Sequence, residues 1–285
     1  MKITNKHNLP DELVRACAVG ERINTQDRIS ATELIGSPRV RQLKIRYGDK
    51  LEQDATDLLW ALLGRGVHAV IEHHEGKNSI AESRLAFEID GITVSGQSDL
   101  YHDIAGGTVE DWKTTSVYAF LLGDKPEWEQ QLNIYAWLWR KTGFPVQHLR
   151  INAILRDWSK GKSKSQADYP DCPFKTIEIP VWPQEKCEDY VMERLVLHSS
   201  ARYLPDDDLP ECTPAEKWQK PTTYAVMKKG NKRATKVCDT KLEADSVAFG
   251  DKNLSVVERP GGCTKCEDFC PVKSMCKYAP KEESV

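Results

Sequence analysis

The sequence predicts an α/β protein in which a sheet is covered by helices. Apolar residues recur at helical spacing over residues 50–74. Residues 85–114 instead alternate between apolar and polar, are rich in β-branched side chains, and contain the turn dipeptides Asp90-Gly91 and Gly106-Gly107. A second helical repeat and further alternating stretches come after them. Helices and strands therefore follow one another along a single chain of 285 residues.

The first elements can be placed in order. Ser30 followed three residues later by Glu33 is a capping signature, which predicts a helix start near residue 30. A long helix is expected at 50–74, and its internal Gly64 and Gly66 predict a break or a close contact. Three antiparallel strands are expected next, near 85–90, 92–101 and 108–114.

The following elements alternate between helix and strand. The pattern predicts a helix from 126 to a stop at Gly143, a strand near 147–156, an edge strand at 175–182 that contains Pro180, and a helix at 183–204. We therefore expect three regions: an N-terminal helical segment (1–50), a core (51–203) and a tail (204–285). The tail begins with Pro, Asp and Thr, continues with a hairpin whose turn is basic, and ends in cysteines.

Composition narrows the class of protein. The chain is 40% hydrophobic and 29% charged, as in ordinary globular proteins. It has no apolar run of about 18 residues, and its start lacks an apolar signal region, so we expect no membrane contact and a cytoplasmic location. The net charge of −3 does not favour nucleic acid as a partner, but local basic patches decide that binding.

The stretch VEDWKT, residues 109–114, carries the strongest chemical signal. Alternate side chains of a strand face the same way, so Asp111 and Lys113 share one face, while Trp112 packs into the core and Glu110 is a bystander. Asp99 ends the preceding strand and can lie beside Asp111. Two carboxylates beside one lysine repel each other, and a divalent cation such as Mg²⁺ would relieve that repulsion.

Four short motifs in order resemble those of the PD-(D/E)XK nuclease superfamily, in its RecB-like branch. They are GVHAVIE with His68, GQSDL with Asp99, VEDWKT with Asp111 and Lys113, and QLNIY with Gln131 and Tyr135. The spacing of four places the last pair on one face of a helix. The resemblance implies a restriction-endonuclease-like core, which is a mixed sheet flanked by helices.

The resemblance also implies a chemistry. Mg²⁺ or Mn²⁺ would be held by His68, Asp99, Asp111 and the backbone carbonyl of Trp112, and Lys113 would hold the attacking water or stabilise phosphoryl charge. Gln131 and Tyr135 would position the water, the lysine or the substrate. The implied activity is that of a deoxyribonuclease, an exonuclease in particular, that leaves 5′-phosphates.

Nine cysteines are present, and Cys263, Cys266, Cys270 and Cys276 lie within fourteen residues of one another. In a reducing compartment such clustering predicts metal binding, and its spacing fits either structural Zn²⁺ or a [4Fe–4S] cluster. The resemblance to RecB-like nucleases, which include the AddB type and the CRISPR-associated type, implies a [4Fe–4S] cluster on Cys266, Cys270 and Cys276. The resemblance implies a more distant cysteine as the fourth ligand, and Cys212 ranks first for that position. Cys263, which would make all four ligands local, ranks second, and Cys17 is third.

Two basic stretches predict a surface for DNA, since lysines contact phosphates and an aromatic ring can stack on a base. Their candidate contact residues are Trp158, Lys160, Lys162, Lys164, Lys228 and Lys229. The chain as a whole resembles phage exonucleases of this branch, which implies DNA with a single-stranded end, and replication or recombination proteins as partners in a host cytoplasm. Two alternatives stay open: a nuclease-fold protein that only binds DNA in a recombination or repair complex, and a zinc-binding interaction protein.

Overall fold

The computed structural model describes residues 1–18, 25–73, 76, 78–123 and 125–280. The chain forms two compact units, Met1–Leu209 and Pro210–Val285, named unit 1 and unit 2 below. No helix of the described ranges combines the length and the apolarity needed to cross a bilayer.

Unit 1 alternates helices and strands, as the sequence predicts. Its described strands are β1 (Lys2–Thr4), β2 (Arg28–Ser30), β3 (Glu52–Asp54), β4 (Ser79–Ile89), β5 (Ile92–His102), β6 (Thr108–Thr115), β7 (His148–Leu155) and β8 (Phe174–Ile179). Its described helices are α1 (Asp11–Ala18), α2 (Ala31–Leu34), α3 (Pro38–Tyr47), α4 (Leu59–Glu72), α5 (Val117–Leu121), α6 (Pro126–Lys141), α7 (Lys160–Ser165) and α8 (Gln184–Ala201).

The central sheet of unit 1 is mixed. Its strands run in the order β2-β5-β6-β7-β8, and β4 also pairs with β5. The pairs β4–β5 and β5–β6 are antiparallel, as predicted, whereas β2–β5 and β6–β7 are parallel and β7–β8 is antiparallel. The α/β class with a mixed sheet flanked by helices is therefore confirmed, and β8 is the predicted edge strand.

One edge of β5 is paired only in part. β4 pairs with β5 over almost its whole length. On the other edge of β5, β2 pairs with residues 93–95 and β6 pairs only with residues 100–102. Residues 96–99 lie between these two partners, so the strands β2 and β6 leave a gap where a groove can form.

Helix α6 rests directly on β5 because of one glycine. A Cβ atom at Gly96 would lie 2.7 Å from Leu138 Cδ1 and 2.8 Å from the ring of Tyr135. Real Cβ atoms essentially never approach that closely. Gly96 therefore fixes the contact that brings Tyr135 of α6 to the gap in β5.

Helix α4 is shorter than predicted at its start and unbroken inside. Residues 52–54 form β3 and residues 55–58 a 3₁₀ turn, so the α-helix begins only at Leu59. A Cβ atom at Gly64 or Gly66 would meet nothing within 4 Å. The predicted break is wrong, and neither glycine makes a close contact within the described chain.

The first fifty residues do more than form an N-terminal helical segment, because β2 belongs to the central sheet. Helix α3 also holds the end of unit 1. Arg46 Nη1 lies 2.5 Å from Asp206 Oδ1, and Arg39 donates to the carbonyl of Leu209. These contacts retain residues 204–209 in unit 1, which explains why the unit extends beyond residue 203.

A buried histidine joins α8 to the end of α2. His198 Nε2 lies 3.1 Å from the carbonyl oxygen of Leu34, and Arg194 Nε donates to the same oxygen at 2.8 Å. Burial and, less strongly, the charges of Arg194 and Arg41 lower the pKa of His198 to about 4, against the opposing effect of hydrogen bonds to the backbone of Leu34 and Gly36. The folded protein therefore binds a proton at His198 less readily than the unfolded chain does.

The stability of the protein should fall in acid because of this histidine. Stability from neutral His198 is complete above the unfolded pKa of about 6.5 and is lost as the pH falls toward 4. Between pH 7.5 and 5 the loss should be about 2 kcal/mol. Urea unfolding gives the free energy of unfolding of the wild type and of His198→Gln at both pH values. The wild type should lose about 2 kcal/mol more than the variant between pH 7.5 and 5. Equal losses in the two proteins would show that His198 has the same pKa in the folded and the unfolded chain.

Unit 2 contains a three-stranded antiparallel sheet and one helix in its described part. Its elements are β9 (Thr223–Lys228), β10 (Ala234–Cys238), α9 (Lys241–Ala248) and β11 (Leu254–Arg259), and the strand order is β10-β9-β11. The predicted hairpin with a basic turn is confirmed by β9 and β10. Single turns of helix follow at Lys265–Phe269 and Lys273–Met275, among the cysteines.

Candidate active site

A groove with a volume of about 960 Å³ opens beside the gap in β5. Three walls meet there: helix α4, the strands β4 to β6, and the segment around α2. Its lining includes Glu33, Arg65, His68, Glu82, Lys113 and Tyr135. The predicted capping signature is confirmed at this wall, because Ser30 and Glu33 form a reciprocal capping box at the start of α2.

His68 stands at the centre of a set of oxygen atoms. Its Nδ1 lies 3.1 Å from Asp99 Oδ1 and 3.7 Å from Glu82 Oε1, and its Nε2 lies 3.0 Å from the carbonyl oxygen of Trp112. The sequence predicted three of these four groups as ligands of one metal ion. In the absence of a metal, a protonated imidazole can donate to both sides and hold the same oxygen atoms together.

Asp99 occupies the point where β5 and β6 diverge. Their pairing begins at Leu100 with Glu110, so Asp99 has no partner in the ladder. Its Oδ2 atom instead accepts a hydrogen bond from the backbone N–H of Trp112 at 2.6 Å. That bond fixes the carboxylate while the Oδ1 atom remains directed at His68.

A chain of side chains leads from β6 to α6. Asp111 is 2% exposed, and its Oδ2 lies 2.5 Å from Lys113 Nζ. Lys113 Nζ donates to Gln131 Oε1 at 3.3 Å, and Gln131 Nε2 donates to the Tyr135 hydroxyl at 2.7 Å. The structure thus brings together all four of these residues, which the sequence analysis had selected from two separate motifs.

The electrostatics of the groove favour an added cation. The hydrogen bond to Asp99 raises the pKa of His68 to about 9, with further contributions from the charges of Asp99, Asp111 and Glu82. Burial raises the pKa of Asp111, and Lys113 opposes that effect. The raised pKa of His68 reflects the negative charge of the surrounding carboxylates, which a bound cation would offset in place of the imidazole proton.

Glu82 could join the acidic cluster on sequence grounds, but an exposed position was the expectation; it is instead half-buried and lines the groove. It lies in β4 between Ala81 and Ser83, whose partners Leu100 and Ser98 place it opposite Asp99. Its φ of 47° is unusual for a residue with a side chain, and such strain concentrates at functional sites. Glu82, His68 and Asp99 form a group whose potential ligand atoms all lie within 4.8 Å of one another.

The signal for Glu82 was present in the sequence. The two-residue turn Asp90-Gly91 pairs Ile89 with Ile92, and counting outward from that pair brings residue 82 opposite residue 99. The predicted strand began at 85, whereas β4 begins at Ser79. The strand was predicted too short, and the predicted strand therefore did not place the Glu82 carboxylate opposite Asp99.

Glu82→Gln should weaken Mn²⁺ binding about tenfold, because it removes a negative charge beside the proposed ion and keeps the shape of the side chain. Isothermal titration with Mn²⁺, or the electron paramagnetic resonance signal of free Mn²⁺, measures the dissociation constant without any substrate. Glu88→Gln is the matched control, since Glu88 is an exposed carboxylate on the same strand. Equal affinities of the two variants would exclude Glu82 from the site.

Glu110 and Trp112 face away from Asp111, as the strand alternation predicts. Glu110 is nevertheless buried: it accepts a hydrogen bond from Asn152 Nδ2 at 2.7 Å and lies 3.6 Å from Arg150 Nη1. Trp112 is only half-buried, 6.0 Å from the ring of Phe174, so the prediction that it packs into the core is wrong. The face of β6 opposite Asp111 thus carries a polar network that is separate from the groove.

The predicted DNA contacts differ in accessibility. Lys160, Lys162, Lys164, Lys228 and Lys229 are all exposed. Trp158 is half-buried against the core of unit 1, and its indole N–H donates to the Pro170 carbonyl at 2.7 Å. The indole N–H is therefore already paired within unit 1, and base stacking on Trp158 stays a prediction.

Five cysteines gather in unit 2. Burial, followed by the charges of the nearby Cys270, Cys263, Cys212 and Cys276 in that order, raises the pKa of Cys266 to about 11. Both candidates for the fourth ligand, Cys212 and Cys263, therefore lie close to the predicted trio. Cys17 is a buried residue of α1 in unit 1.

Comparisons with known proteins give distant structural likenesses. No family model matches the sequence, and no curated protein matches it. The solved structure of SSO0001 is similar over 67% of this chain and 85% of that chain, with 17% identity and a TM-score of 0.43. An alkaline exonuclease, LHK-Exo from Laribacter hongkongensis, is similar over 67% of this chain and 93% of its own, with 13% identity and a TM-score of 0.39.

Proposed function

We propose that this protein is a metal-dependent deoxyribonuclease, an exonuclease that hydrolyses phosphodiester bonds and leaves 5′-phosphates. One observation carries the proposal: His68, Asp99 and the Trp112 carbonyl converge in the same groove that holds the Asp111–Lys113–Gln131–Tyr135 chain. Oxygen ligands for a cation beside a half-buried lysine form the arrangement that phosphoryl transfer to water requires.

The donor set fits a hard divalent cation. Carboxylate and carbonyl oxygens dominate it, with one imidazole nitrogen, which suits Mg²⁺ or Mn²⁺. The proposed ligands are His68, Asp99, Asp111 and the Trp112 carbonyl, to which the geometry adds Glu82. When bound, the cation would polarise the scissile phosphate and lower the pKa of a water molecule.

The chain's own side chains supply the remaining functions. Lys113 can hold the attacking water or stabilise negative charge on the phosphoryl oxygens, since its ammonium group is anchored between Asp111 and Gln131. Gln131 fixes Lys113 from α6, and Tyr135 fixes Gln131. Trp112 N–H holds Asp99 in place from the backbone, which costs no side-chain freedom.

We infer that unit 2 holds a [4Fe–4S] cluster on Cys266, Cys270 and Cys276, with Cys212 or Cys263 as the fourth ligand. Cys266 supports it, because four other thiols are near enough to raise its pKa, and bound metal would stabilise the thiolates of such a set. Serine variants of Cys212 and Cys263, analysed for iron content, would identify the ligand. Zinc in place of iron in anaerobically purified protein would overturn the cluster. From the resemblance of the chain to phage exonucleases, we propose that the nuclease activity serves phage replication or recombination.

The nuclease proposal is tested with end-labelled single-stranded and double-stranded DNA. Purified protein is incubated with Mn²⁺, with Mg²⁺ or with EDTA, and the products are separated at nucleotide resolution. We expect metal-dependent shortening from a DNA end and products that a 5′-phosphate-specific ligation can join. Intact DNA under every metal condition, from protein with its full metal content, would refute the proposal.

A further inference from the structure

A cation and an exposed aromatic ring are stacked at one end of helix α4. Trp60 is 61% exposed, and the Arg156 guanidinium lies 4.3 Å from the centre of its ring. Trp60 precedes Ala61, which lines the groove, and stands eight residues before His68, or about 12 Å along the helix axis. The pair therefore adjoins the proposed active site.

Arg156 is tied to the strand that carries Asp111 and Lys113. Its backbone N–H donates to the carbonyl of Thr115 at 2.9 Å. Thr115 shares the face of Lys113 and lies about 7 Å further along β6. Two different elements, α4 and β6, thus lead from the groove to the same Trp60–Arg156 pair.

The surface continues beyond Arg156 with a second pair. Tyr118, at the start of α5, is 55% exposed, and Lys162 Nζ lies 5.8 Å from the centre of its ring. The Asp157 carboxylate keeps its negative charge, but it is directed at the start of α5, where it accepts hydrogen bonds from Ser116 Oγ and Val117 N–H, each at 2.7 Å. Two cations, each set against an exposed aromatic ring, thus follow one another from the groove outward.

Helix α4 offers a close approach along the same path. Gly64 lines the groove in mid-helix, where glycine costs about 1 kcal/mol of stability relative to alanine. Its Cβ position is open, so packing within the described chain does not require glycine there. An open backbone beside the groove allows a sugar–phosphate chain to lie against the helix.

We propose that Trp60, Arg156, Tyr118 and Lys162 form a stacking surface for an unpaired DNA strand that enters the groove. This inference rests on the proposed nuclease function and adds the path and the strand state of its substrate. Aromatic faces stack on bases that are free of a duplex, while cations contact the phosphates of either form. A surface with both features therefore favours single strands over blunt duplexes.

The test measures DNA binding without hydrolysis. Fluorescence anisotropy in EDTA gives the dissociation constants of a single-stranded oligonucleotide and of a blunt duplex for each variant. We expect Trp60→Ala to weaken single-strand binding about tenfold, with little change for the duplex, and Trp60→Phe to retain most of the affinity. Arg156→Ala should weaken both and reduce the salt dependence of binding.

Tyr203→Ala is the matched control. Tyr203 is an exposed aromatic residue of unit 1 with the Arg202 guanidinium 5.8 Å from its ring centre, and it lines a different cavity. Wild-type single-strand affinity in a folded Trp60→Ala protein, or an equal loss for both DNA forms, would overturn the proposal. Because the assay contains no divalent metal, Trp60-dependent binding by a protein that does not cleave DNA would refute only the nuclease function.

Discussion

Lys113→Met is expected to lower the rate of metal-dependent DNA hydrolysis by about 10²–10³-fold while the protein still binds Mn²⁺. Methionine keeps the length of the side chain and removes the ammonium group that lies 2.5 Å from Asp111 Oδ2. Metal affinity should be unchanged or higher, because a competing positive charge leaves the site. Single-turnover cleavage measures the rate, and isothermal titration measures the affinity.

Asp111→Asn provides the contrast. It removes a proposed ligand, so hydrolysis and Mn²⁺ affinity should both fall. Glu110→Gln is the matched control from the neighbouring position: its amide oxygen can still accept from Asn152, and it faces the other side of the sheet. Loss of activity in Glu110→Gln together with an active Asp111→Asn would mean that the opposite face of β6 carries the chemistry.

Cys270→Ser should remove the proposed metal cluster from unit 2 and lower the melting temperature of that unit by about 10 °C or more. A structural cluster contributes its binding free energy to folding, and unit 2 has only a small apolar core around Val226, Cys238 and Ala244. Absorbance near about 400 nm reports the cluster, and differential scanning calorimetry reports the stability of the whole chain.

Cys172→Ser is the control for this experiment, since Cys172 is an exposed free cysteine of unit 1. It should keep both the absorbance and the melting profile. A Cys270→Ser protein with full iron content would remove Cys270 from the ligand set. If Cys270→Ser lost its iron but kept the wild-type melting temperature, the cluster would have no structural role.

The sequence by itself determined the alternation of helices and strands. It also determined which side chains of β6 share a face. Strand alternation alone places Asp111 and Lys113 on one face and Glu110 on the other, because the side-chain period of a strand is two. The helical spacing of four likewise brings Gln131 next to Tyr135. These relations are local, so composition and spacing are sufficient to predict them.

The tertiary structure alone decided how these pieces meet. The gap along β5 has its shape because β2, which ends 38 residues before His68, occupies part of the edge that β6 leaves free. The half-burial of Trp158, the exposure of Trp60 and the strained backbone of Glu82 also depend on packing between distant segments. Such contacts are set by the balance of burial and pairing over the whole unit, and no short window of sequence contains that balance.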